Sequence, residues 1–472
     1  MGSHPDRSTL HDATSPDFVA LGVPARLVDA LTAQGISSPF PIQTATLPDS
    51  LSGRDVLGRG RTGSGKTLAF ALPLVARTAA AGGRPTAKRP RALVLVPTRE
   101  LATQVQTAMA PLADASGLRT MTIFGGVGQR PQVTALARGV DVVIACPGRL
   151  EDLMRQGHVR LDDVAITVID EADHMADLGF LPAVRRILDA TDANGQRLLF
   201  SATLDNGVDV LVRRYLSDPV RHSVDDDATT EPDIEHHVLT VTPSDKAVVV
   251  TELASGLGRS LLFTRTKHSA KKLARDLTQS GVPAVDLHGN LSQAARDRNL
   301  GRFRSGEVRV LVATDVAARG IHVDDVALVV HVDPPTEHKA YTHRSGRTAR
   351  AGASGVVVTL QTQAQRSDVA SMTRRAGITP SVARVSPGAE ELLALTGPRA
   401  AHVEPAPVAK QPQGGGRSRG PAQSDRPRRR DDSRSSSSAP RGSSGARGSS
   451  RRGPSPARSM SAAEFSSGRR SR

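Results

Sequence analysis

Short apolar runs alternate with longer helix-like stretches between Phe18 and about Arg221. Valine, leucine and isoleucine dominate the runs, and several of them show no alternation of apolar and polar residues. This pattern is typical of strands that helices cover on both faces. The runs are DVLG, RALVLVP, TMTIF, DVVIAC, AITVID and RLLFSAT. Their order predicts an α/β lobe with a parallel sheet.

A second series of the same kind follows an acidic, turn-forming stretch at residues 224–234 that has no apolar period. Its runs are HHVLTVT, SLLFTRT, AVDLHG, VRVLVATDV, VALVVHVD and GVVVTLQ, with helical spacing between them, for example from Lys267 to Gln279. We therefore predict two similar lobes, 18–223 and 235–396, after a flexible N-terminus at 1–17. Two such lobes joined by a short linker form a cleft, which suits a ligand contacted from both sides.

The composition changes after about Gly397 to mainly arginine, serine, glycine and proline. Residues 398–472 contain 17 Lys or Arg and 5 Asp or Glu, so this segment carries +12 of the chain's net charge of +15. With one aromatic residue, Phe465, it has too little apolar surface to offset its chain entropy. We predict a disordered basic tail at 397–472.

The chain has a single cysteine, Cys146, which rules out an intramolecular disulfide framework and a cysteine-rich zinc site. This usage fits a reducing cytoplasm best, and we interpret Cys146 as a small buried residue rather than a redox group. The N-terminus contains no apolar core of a signal peptide, and no run of about 18 apolar residues occurs. We therefore expect a soluble, cytoplasmic protein with no membrane partner.

The stretch GRGRTGSGKT at residues 58–67 contains two overlapping glycine fingerprints. One is the G-x-G-x-x-G of dinucleotide sites, and the other is the P-loop of triphosphate sites. A dinucleotide site needs an acidic residue about 20 positions further on, and none occurs between Asp55 and Glu100. The P-loop needs a preceding strand, Lys66 for phosphate, Thr67 for Mg²⁺ and a following helix, and the sequence supplies all of these. We therefore predict a nucleoside triphosphate site.

A P-loop also needs an acid at the end of a buried strand in the same sheet to hold the water shell of the Mg²⁺. The run AITVID ends at Asp170, and Glu171 follows directly. Asp170 can hold the metal, and Glu171 can take the proton of an attacking water. An isolated Asp-Glu pair is more often a helix N-terminus or a solvated turn, but beside a P-loop it predicts a hydrolytic site.

Residues 170–173 read DEAD, and here the chain resembles the DEAD-box ATP-dependent RNA helicases. The resemblance covers about residues 18–365 and is specific, because the motifs appear in the order of the family. In this chain they read SPFPIQ, GRTGSGKT, PTRELA, GG, PGR, DEAD, SAT, LFTRT, HG, QAAR, ATDVAARG and HRSGRTAR. The layout with a basic tail is most similar to bacterial RhlE-like members. The resemblance implies an α/β fold with two tandem RecA-like parallel-sheet domains, a short linker and a disordered basic C-terminal tail.

The resemblance implies a nucleotide site for ATP and Mg²⁺. Gln43 would recognise adenine, and Phe18, 25 residues upstream, would stack on the base unless it is simply a core contact. The other implied nucleotide-binding residues are Thr62, Gly63, Ser64, Gly65, Lys66, Thr67 and His322, with Thr67 and Asp170 holding the metal. His322 is a departure, because the family usually has an aspartate there for the ribose, and an imidazole supplies no carboxylate acceptor.

The implied catalytic residues come from both lobes. They are Lys66, Asp170, Glu171, His343, Arg347 and Arg350. The last two match the arginine fingers of the family, which neutralise charge on the transferred phosphoryl group, although a solvated basic helix face is the alternative. Residues that would couple hydrolysis to strand separation are Asp173, Ser201 and Thr203. Because the fingers and the P-loop lie on different lobes, hydrolysis would require the lobes to close.

RNA contacts are also implied on both lobes. They are Pro97, Thr98, Arg99, Gly125, Gly126 and Arg149 on the first, and Arg265, Gly289, Gln293, Arg296 and Thr314 on the second. Such groups suit sugar and phosphate, so binding would not depend on base sequence, and contacts to 2′-OH groups would select RNA. The tail would be a salt-sensitive RNA tether, or alternatively an inert extension. Such enzymes serve ribosome assembly, RNA decay and cold adaptation, so ribosomal particles and RNA-decay factors are candidate partners.

The leading hypothesis is an ATP-dependent RNA helicase that unwinds short duplexes locally and without processive translocation, or remodels RNA–protein particles. One alternative is a protein of the same fold that clamps or anneals RNA with little hydrolysis. Intact Lys66, Glu171, Arg347 and Arg350 argue against it. The other alternative is a DNA helicase, which the DEAD and glutamine motifs disfavour.

Overall fold

The first lobe is built on a parallel sheet. The computed structural model describes residues 16–60, 63–204, 206–224, 234–318, 326–349 and 354–404. The first-lobe strands are β1 (Val56–Arg59), β2 (Ala92–Leu95), β3 (Thr120–Ile123), β4 (Val142–Ala145), β5 (Ile166–Asp170), β6 (Gln196–Ser201) and β7 (Val220–Ser223). They lie in the order β3-β4-β2-β5-β6-β1-β7, and all their pairings are parallel.

Helices connect these strands, as parallel pairing requires. The first-lobe helices are α1 (Ala25–Thr32), α2 (Pro41–Ser52), α3 (Lys66–Ala80), α4 (Arg99–Asp114), α5 (Gln129–Arg138), α6 (Pro147–Arg155), α7 (Ala172–Asp177), α8 (Leu181–Leu188) and α9 (Asn206–Tyr215). Several begin directly after a strand, so their N-termini lie at the edge of the sheet where the strands end. That edge carries the P-loop and the DEAD residues.

The second lobe repeats the plan. Its strands are β8 (Ile234–Thr240), β9 (Arg259–Phe263), β10 (Ala284–Leu287), β11 (Val310–Ala313), β12 (Val326–His331), β13 (Gly355–Gln361) and β14 (Ser381–Arg384). Its helices are α10 (Lys246–Ala254), α11 (Lys267–Gln279), α12 (Gln293–Arg304), α13 (Asp315–Ala318), α14 (His338–Ser345), α15 (Arg366–Arg375) and α16 (Glu390–Thr396), with a 3₁₀ turn at Gln363–Gln365. The order β10-β11-β9-β12-β13-β8-β14 is again entirely parallel.

Each sheet has an apolar core on both faces. In β2, Ala92 and Val94 belong to one apolar cluster and Leu93 and Leu95 to another. The same division recurs in the second lobe, because successive side chains of a strand point to opposite faces. Residues on both faces must therefore be apolar, which explains the uninterrupted apolar runs in the sequence. The predicted α/β class and the two parallel sheets are confirmed.

Two strands were not predicted, and one boundary was placed too early. Strands β7 and β14 pair with only one neighbour, at sheet edges, so they are partly exposed and carry no continuous apolar run. The predicted tail begins at 397, but residues 397–404 are bonded to the second lobe. Leu257 N–H donates to Pro398 O at 3.1 Å, and Val403 N–H donates to Gly281 O at 3.0 Å. These are backbone bonds, which composition does not reveal. The tail beyond residue 404 lies outside the described residues.

Length and apolarity also decide whether a helix can cross a bilayer. Among the helices that the structure describes, none is both long enough and apolar enough to do so.

Candidate active site and RNA interface

The P-loop joins β1 to α3 at the end of the first-lobe sheet. Gly63 and Gly65 have φ of +93° and +88°, a left-handed conformation that favours glycine. Lys66 is the first residue of α3, is 7% exposed, and donates from Nζ to Gly60 O at 2.7 Å. Its ammonium is therefore fixed in the concave side of the loop. Thr62, which was predicted to bind phosphate, lies outside the described residues.

Gln43 lies behind the P-loop on α2 and is fully buried. Its Oε1 accepts a hydrogen bond from Phe40 N–H at 2.9 Å, and its Nε2 donates to Gly65 O at 2.9 Å. A primary amide has a second N–H and a second lone pair, so one donor and one acceptor remain. The geometry thus links this glutamine directly to the loop, and its predicted contact with adenine stays a prediction.

Phe18 is in a different environment from the one its spacing predicts. It is 2% exposed and belongs to the same apolar cluster as Leu27 and Leu31 of α1. The structure thus shows the ring as a core contact, which is the alternative left open by the sequence. Its predicted stacking on the base stays a prediction.

Asp170 is the last residue of β5 and is 3% exposed. One of its carboxylate oxygens, Oδ1, accepts from the backbone N–H of Glu171 at 3.0 Å. Burial raises the pKa of Asp170, and the neighbouring charge of Glu171 adds to this, while Lys66 opposes it. The carboxyl group thus lies near the P-loop lysine, in a place where a cation would stabilise its charge.

Glu171 adopts φ 50° and ψ 53°, the left-handed region that non-glycine residues rarely occupy. Such strain typically costs about 1–3 kcal/mol and persists mainly at functional sites. His174 Nδ1 lies 2.9 Å from Glu171 Oε2. Although burial alone would raise the pKa of Glu171, the hydrogen bond with His174 and the charges of His174, Lys66 and Arg347 lower it. The carboxylate is therefore ionised and able to accept a proton.

The second lobe brings two predicted catalytic residues to this point. His343 lies on α14, and the ring centroids of His343 and His174 are 6.3 Å apart across the lobes. Arg347 follows α14, donates from Nε to His343 O at 3.2 Å, and is close enough for its charge to act on Glu171. The structure thus brings residues of both lobes together at the DEAD carboxylates. Arg350 and His322 lie outside the described residues.

Arg344 is a residue that sequence reasoning missed. It is 3% exposed and binds Asp315 with two bonds, from Nε to Oδ1 at 2.6 Å and from a terminal nitrogen to Oδ2 at 2.8 Å. A third bond runs to Asp333 O at 2.8 Å. These contacts fasten α14, and with it His343 and Arg347, to the ends of the second-lobe strands. In the sequence, the only indication of this role is that Arg344 stands next to His343 in the motif HRSGRTAR.

The three predicted coupling residues form one hydrogen-bonded group. Asp173 N–H donates to Ser201 Oγ at 3.2 Å. The carboxylate oxygen Asp173 Oδ2 accepts from both the N–H and the Oγ1 of Thr203, each at 3.0 Å. The DEAD and SAT segments are therefore joined by side chains, so a shift of one must move the other. Their coupling role itself stays a prediction.

Predicted RNA-binding residues of the first lobe cluster around α4. Thr98 is its N-cap, and its Oγ1 accepts from Leu101 N–H at 3.2 Å. Gly126 has φ +78°, and a Cβ atom on it would overlap the guanidinium of Arg99. Arg149 donates from both terminal nitrogens to Val127 O, at 3.3 and 3.4 Å. The predicted residues Pro97 and Gly125 adjoin this group along the chain.

On the second lobe the predicted residues lie on loops at strand ends and at the start of α12. Arg265 follows β9, and its N–H donates to Asp333 Oδ2 at 2.9 Å. Thr314 follows β11 and donates from its N–H to Leu287 O at 3.2 Å. Gly289 lies in the loop between β10 and α12. A Cβ atom on it would meet no described atom within 4 Å, so its surroundings are open.

Gln293 and Arg296 contact the first lobe instead of presenting a free surface. Arg296 Nε donates to Glu100 Oε1 at 2.7 Å, and Arg99 donates to Gln293 Oε1 at 3.2 Å. Both second-lobe residues are less than 9% exposed. Glu100 was not predicted, although it stands within PTRELA. These bonds show that residues predicted to bind RNA also hold the two lobes together.

Three charged or polar groups are thus arranged for phosphoryl chemistry. A fixed lysine lies in a left-handed glycine loop, the ionised carboxylate of Glu171 lies near it just after the end of β5, and an arginine approaches from the other lobe. No group of three or more His, Cys, Asp or Glu side chains able to chelate a metal occurs in the described ranges. A divalent cation here would share its coordination with phosphate and water, which is usual for Mg²⁺.

Comparison with known proteins agrees with this architecture. Residues 40–211 match the DEAD/DEAH box helicase family, and residues 245–352 match the helicase conserved C-terminal domain. The chloroplastic DEAD-box ATP-dependent RNA helicase 3A of Zea mays is 40% identical over 385 residues, which are 80% of this chain and 51% of the maize protein. The ATP-dependent RNA helicase DBP2 of Candida albicans is 38% identical over 364 residues, covering 75% of this chain and 64% of that protein.

Among solved structures, S. cerevisiae Dbp5 bound to RNA and ADP BeF3 superposes with a TM-score of 0.69 at 28% identity, covering 80% of this chain and 98% of that one. The chain spans about half to two thirds of the length of the curated relatives above. Together the two family matches cover more than half of the chain, in the order that the motifs require. The chain belongs to the DEAD-box ATP-dependent RNA helicase family.

Proposed function

We propose that this protein hydrolyses ATP when RNA is bound, and uses the cycle to unwind short RNA duplexes locally or to remodel RNA–protein particles. The observation that carries the proposal is the convergence of the two lobes at Glu171. Lys66 and Asp170 approach it from the first lobe, and Arg347 approaches it from the second. A site divided in this way is complete only when the lobes are in contact.

The residues supply the parts that phosphoryl transfer needs. The glycine loop offers backbone N–H groups, and Lys66 offers a positive charge for the β and γ phosphates. Glu171 has a lowered pKa, so it is ionised and can take the proton of the attacking water. Arg347 would neutralise charge on the transferred group, an effect worth about 10³–10⁵ in rate in comparable NTPases.

Mg²⁺ fits this site. Asp170 is a buried carboxylate whose pKa is raised by burial, so a nearby cation would stabilise its ionised form. Thr67, the second residue of α3, would add a hydroxyl ligand. The ion would neutralise phosphate charge and orient the γ phosphate. The residues of the chain bind and orient the nucleotide and receive the proton.

RNA would control hydrolysis through the contacts between the lobes. Arg99, Gln293 and Arg296 belong to the predicted RNA face and also bridge the lobes, so one strand bound across both would favour their closure. Closure would in turn place Arg347 at the nucleotide. A single strand held along both lobes in a bent path excludes its complementary strand, which gives local unwinding without translocation.

Finer assignments rest on the sequence. The layout of two lobes followed by a basic tail supports an RhlE-like bacterial member, cytoplasmic location, and ribosomal particles or RNA-decay factors as partners. The relatives compared above come from plants and fungi, and one is chloroplastic, so they do not bear on these assignments. The tail as an RNA tether and His322 at the ribose are proposals of the same kind.

An ATPase assay of the full chain with RNA, with DNA and with neither tests the proposal. We expect stimulation by RNA. Hydrolysis that no nucleic acid stimulates would favour an RNA clamp, and stimulation by DNA alone would favour a DNA helicase. The variant Glu171→Gln serves as a control, because it keeps the shape of the side chain but removes the proton acceptor. It should still bind RNA in the presence of ATP while losing hydrolysis.

A further inference from the structure

A basic cavity lies on the first lobe, at the edge of the sheet opposite to the P-loop. Its volume is about 330 Å³, and it is lined by the last turn of α3, the loop before β2 and the start of β5. Because α3 has 15 residues with a rise of about 1.5 Å each, this cavity lies roughly 20 Å from Lys66. It is therefore separate from the nucleotide site. The side chains that matter here are Arg77, Thr78, Arg84, Arg89 and Arg91.

Two of these arginines are neutralised and two are not. Arg89 forms ion pairs with Asp162 and Asp163, and Arg91 binds Asp141. Within the described residues, Arg77 and Arg84 have no carboxylate partner. Arg84 is exposed at the rim, and the guanidinium of Arg77 lies against Gly53 at the end of α2, so no described carboxylate balances either charge and a dianion at the cavity would do so. A phosphate monoester carries a charge of about −1.5 to −2 at neutral pH.

The cavity also contains buried donors without partners. Thr78 is 4% exposed, and its Oγ1 has no hydrogen-bond partner in the described part of the chain. The same is true of Arg77 Nε, although a terminal nitrogen of this guanidinium donates to Leu51 O at 3.2 Å. A buried polar group without a partner is destabilising, and a bound acceptor would remove that cost.

The loop that carries the arginines is fixed in place. Thr86 and Arg89 form an antiparallel bridge, and Lys88 between them has φ 63°. Lys88 N–H donates to Leu136 O at 2.8 Å, and Lys88 O accepts from Arg160 N–H at 2.9 Å. The backbone between Thr86 and Arg89, which forms one wall of the cavity, is therefore held in place, and Thr78 is held by helix α3.

We propose that this cavity, defined by Arg77, Thr78 and Arg84, binds the terminal phosphate or diphosphate group of a ligand. Guanidinium groups match phosphate in a planar, two-bond geometry, and the three oxygens of a terminal phosphate can serve several donors together. Carbonyl groups at the end of α3 oppose an anion, and Arg91 donates to Gly82 O, two residues beyond the helix, which places its positive charge next to them. The volume suits a compact group and not an extended strand.

Arginine-directed labelling of the full chain with phenylglyoxal, resolved by mass spectrometry, tests this site directly. The probe is pyrophosphate, added with saturating ADP and EDTA so that the P-loop is occupied. We expect pyrophosphate to protect Arg84, while Arg26, an exposed arginine on α1, stays reactive as an internal control. In Thr78→Val the midpoint of protection should rise at least about tenfold, because a hydrogen bond to a charged ligand is lost.

With pyrophosphate, the site would be overturned by a lack of protection of Arg84 or by an unchanged midpoint in Thr78→Val. RNA carrying a 5′-phosphate or a 5′-hydroxyl then distinguishes the sources of the phosphate. Protection by the 5′-phosphate form alone identifies the RNA end as the ligand. Protection by pyrophosphate but by neither RNA identifies a small free ligand. Equal protection by both RNAs would contradict a terminal-phosphate site, because it would show binding of the backbone.

Discussion

Arg296 of the second lobe donates a hydrogen bond from Nε to Oε1 of Glu100 in the first lobe, at 2.7 Å. The two side chains are only 8% and 6% exposed. They are 196 positions apart in sequence, so their meeting reports contact between the lobes rather than local structure. Arg296 also donates to His288 O and Ala317 O, which holds its guanidinium against the second lobe.

Glu100→Gln should weaken RNA binding in the presence of an ATP analogue by about tenfold, because a hydrogen bond between charged groups contributes roughly 1.5–3 kcal/mol. Fluorescence anisotropy with a short labelled RNA measures this. Glu151→Gln is the matched control: its partner Arg186 is 59% exposed and lies on the same lobe, and such surface pairs contribute little. Equal RNA affinity in both variants would show that the Arg296 bond does not support closure.

Gly126→Ala should lower RNA affinity by roughly fivefold to tenfold. Its φ of +78° is unfavourable for alanine by about 1–2 kcal/mol, and the new methyl group would displace the guanidinium of Arg99 that reaches Gln293. Gly128→Ala is the control, since a Cβ atom there meets only Pro131, at 3.9 Å. If both variants bind RNA like the unmodified chain, Arg99 has no part in the RNA interface.

Arg344→Lys should reduce kcat of the RNA-stimulated ATPase by about tenfold at saturating ATP and RNA, with a smaller change in KM. Lysine keeps the charge but cannot form the two parallel bonds to Asp315, so His343 and Arg347 lose their support. The residue acts by positioning α14. Arg384→Lys, the same replacement at an exposed arginine, is the matched control and should leave kcat unchanged. If the variant unfolds at a lower temperature but keeps the kcat of the unmodified chain, Arg344 has a purely structural role.

Cys146 should resist thiol reagents in the folded protein. Burial, followed by the nearby charge of Glu100, raises the pKa of its thiol from 9.0 to about 12. Between pH 9 and 12 this thiol is ionised in the unfolded chain and stays protonated in the folded chain. Its contribution to the free energy of unfolding is therefore lost as the pH rises. Ellman's reagent at pH 8 should label the denatured chain fully and the native chain very slowly. Because the chain has one cysteine, rapid labelling of the native protein would contradict this burial.

The strands were predictable because burial on both faces leaves an unbroken apolar run in the sequence, and β7 and β14 were missed because edge strands need no such run. Motif order predicted Lys66, Asp170, Glu171, His343 and Arg347 as a catalytic group, and their catalytic roles stay predictions. The sequence did not show which contacts each of these side chains makes in the folded protein. Phe18 matched a spacing but is buried in the core, and Arg296 matched an RNA motif but contacts Glu100. Both outcomes depend on tertiary packing, which spacing alone does not determine.

We propose that Arg347 of the second lobe completes an ATPase site built on Lys66 and Glu171 of the first. The decisive measurement is the single-turnover rate of ATP hydrolysis at saturating RNA, compared between the unmodified chain and Arg347→Ala. We predict a loss of about 10³-fold or more in rate, with ATP affinity in the absence of RNA changed by less than about threefold. A variant that hydrolyses ATP at the unmodified rate would contradict the two-lobe site.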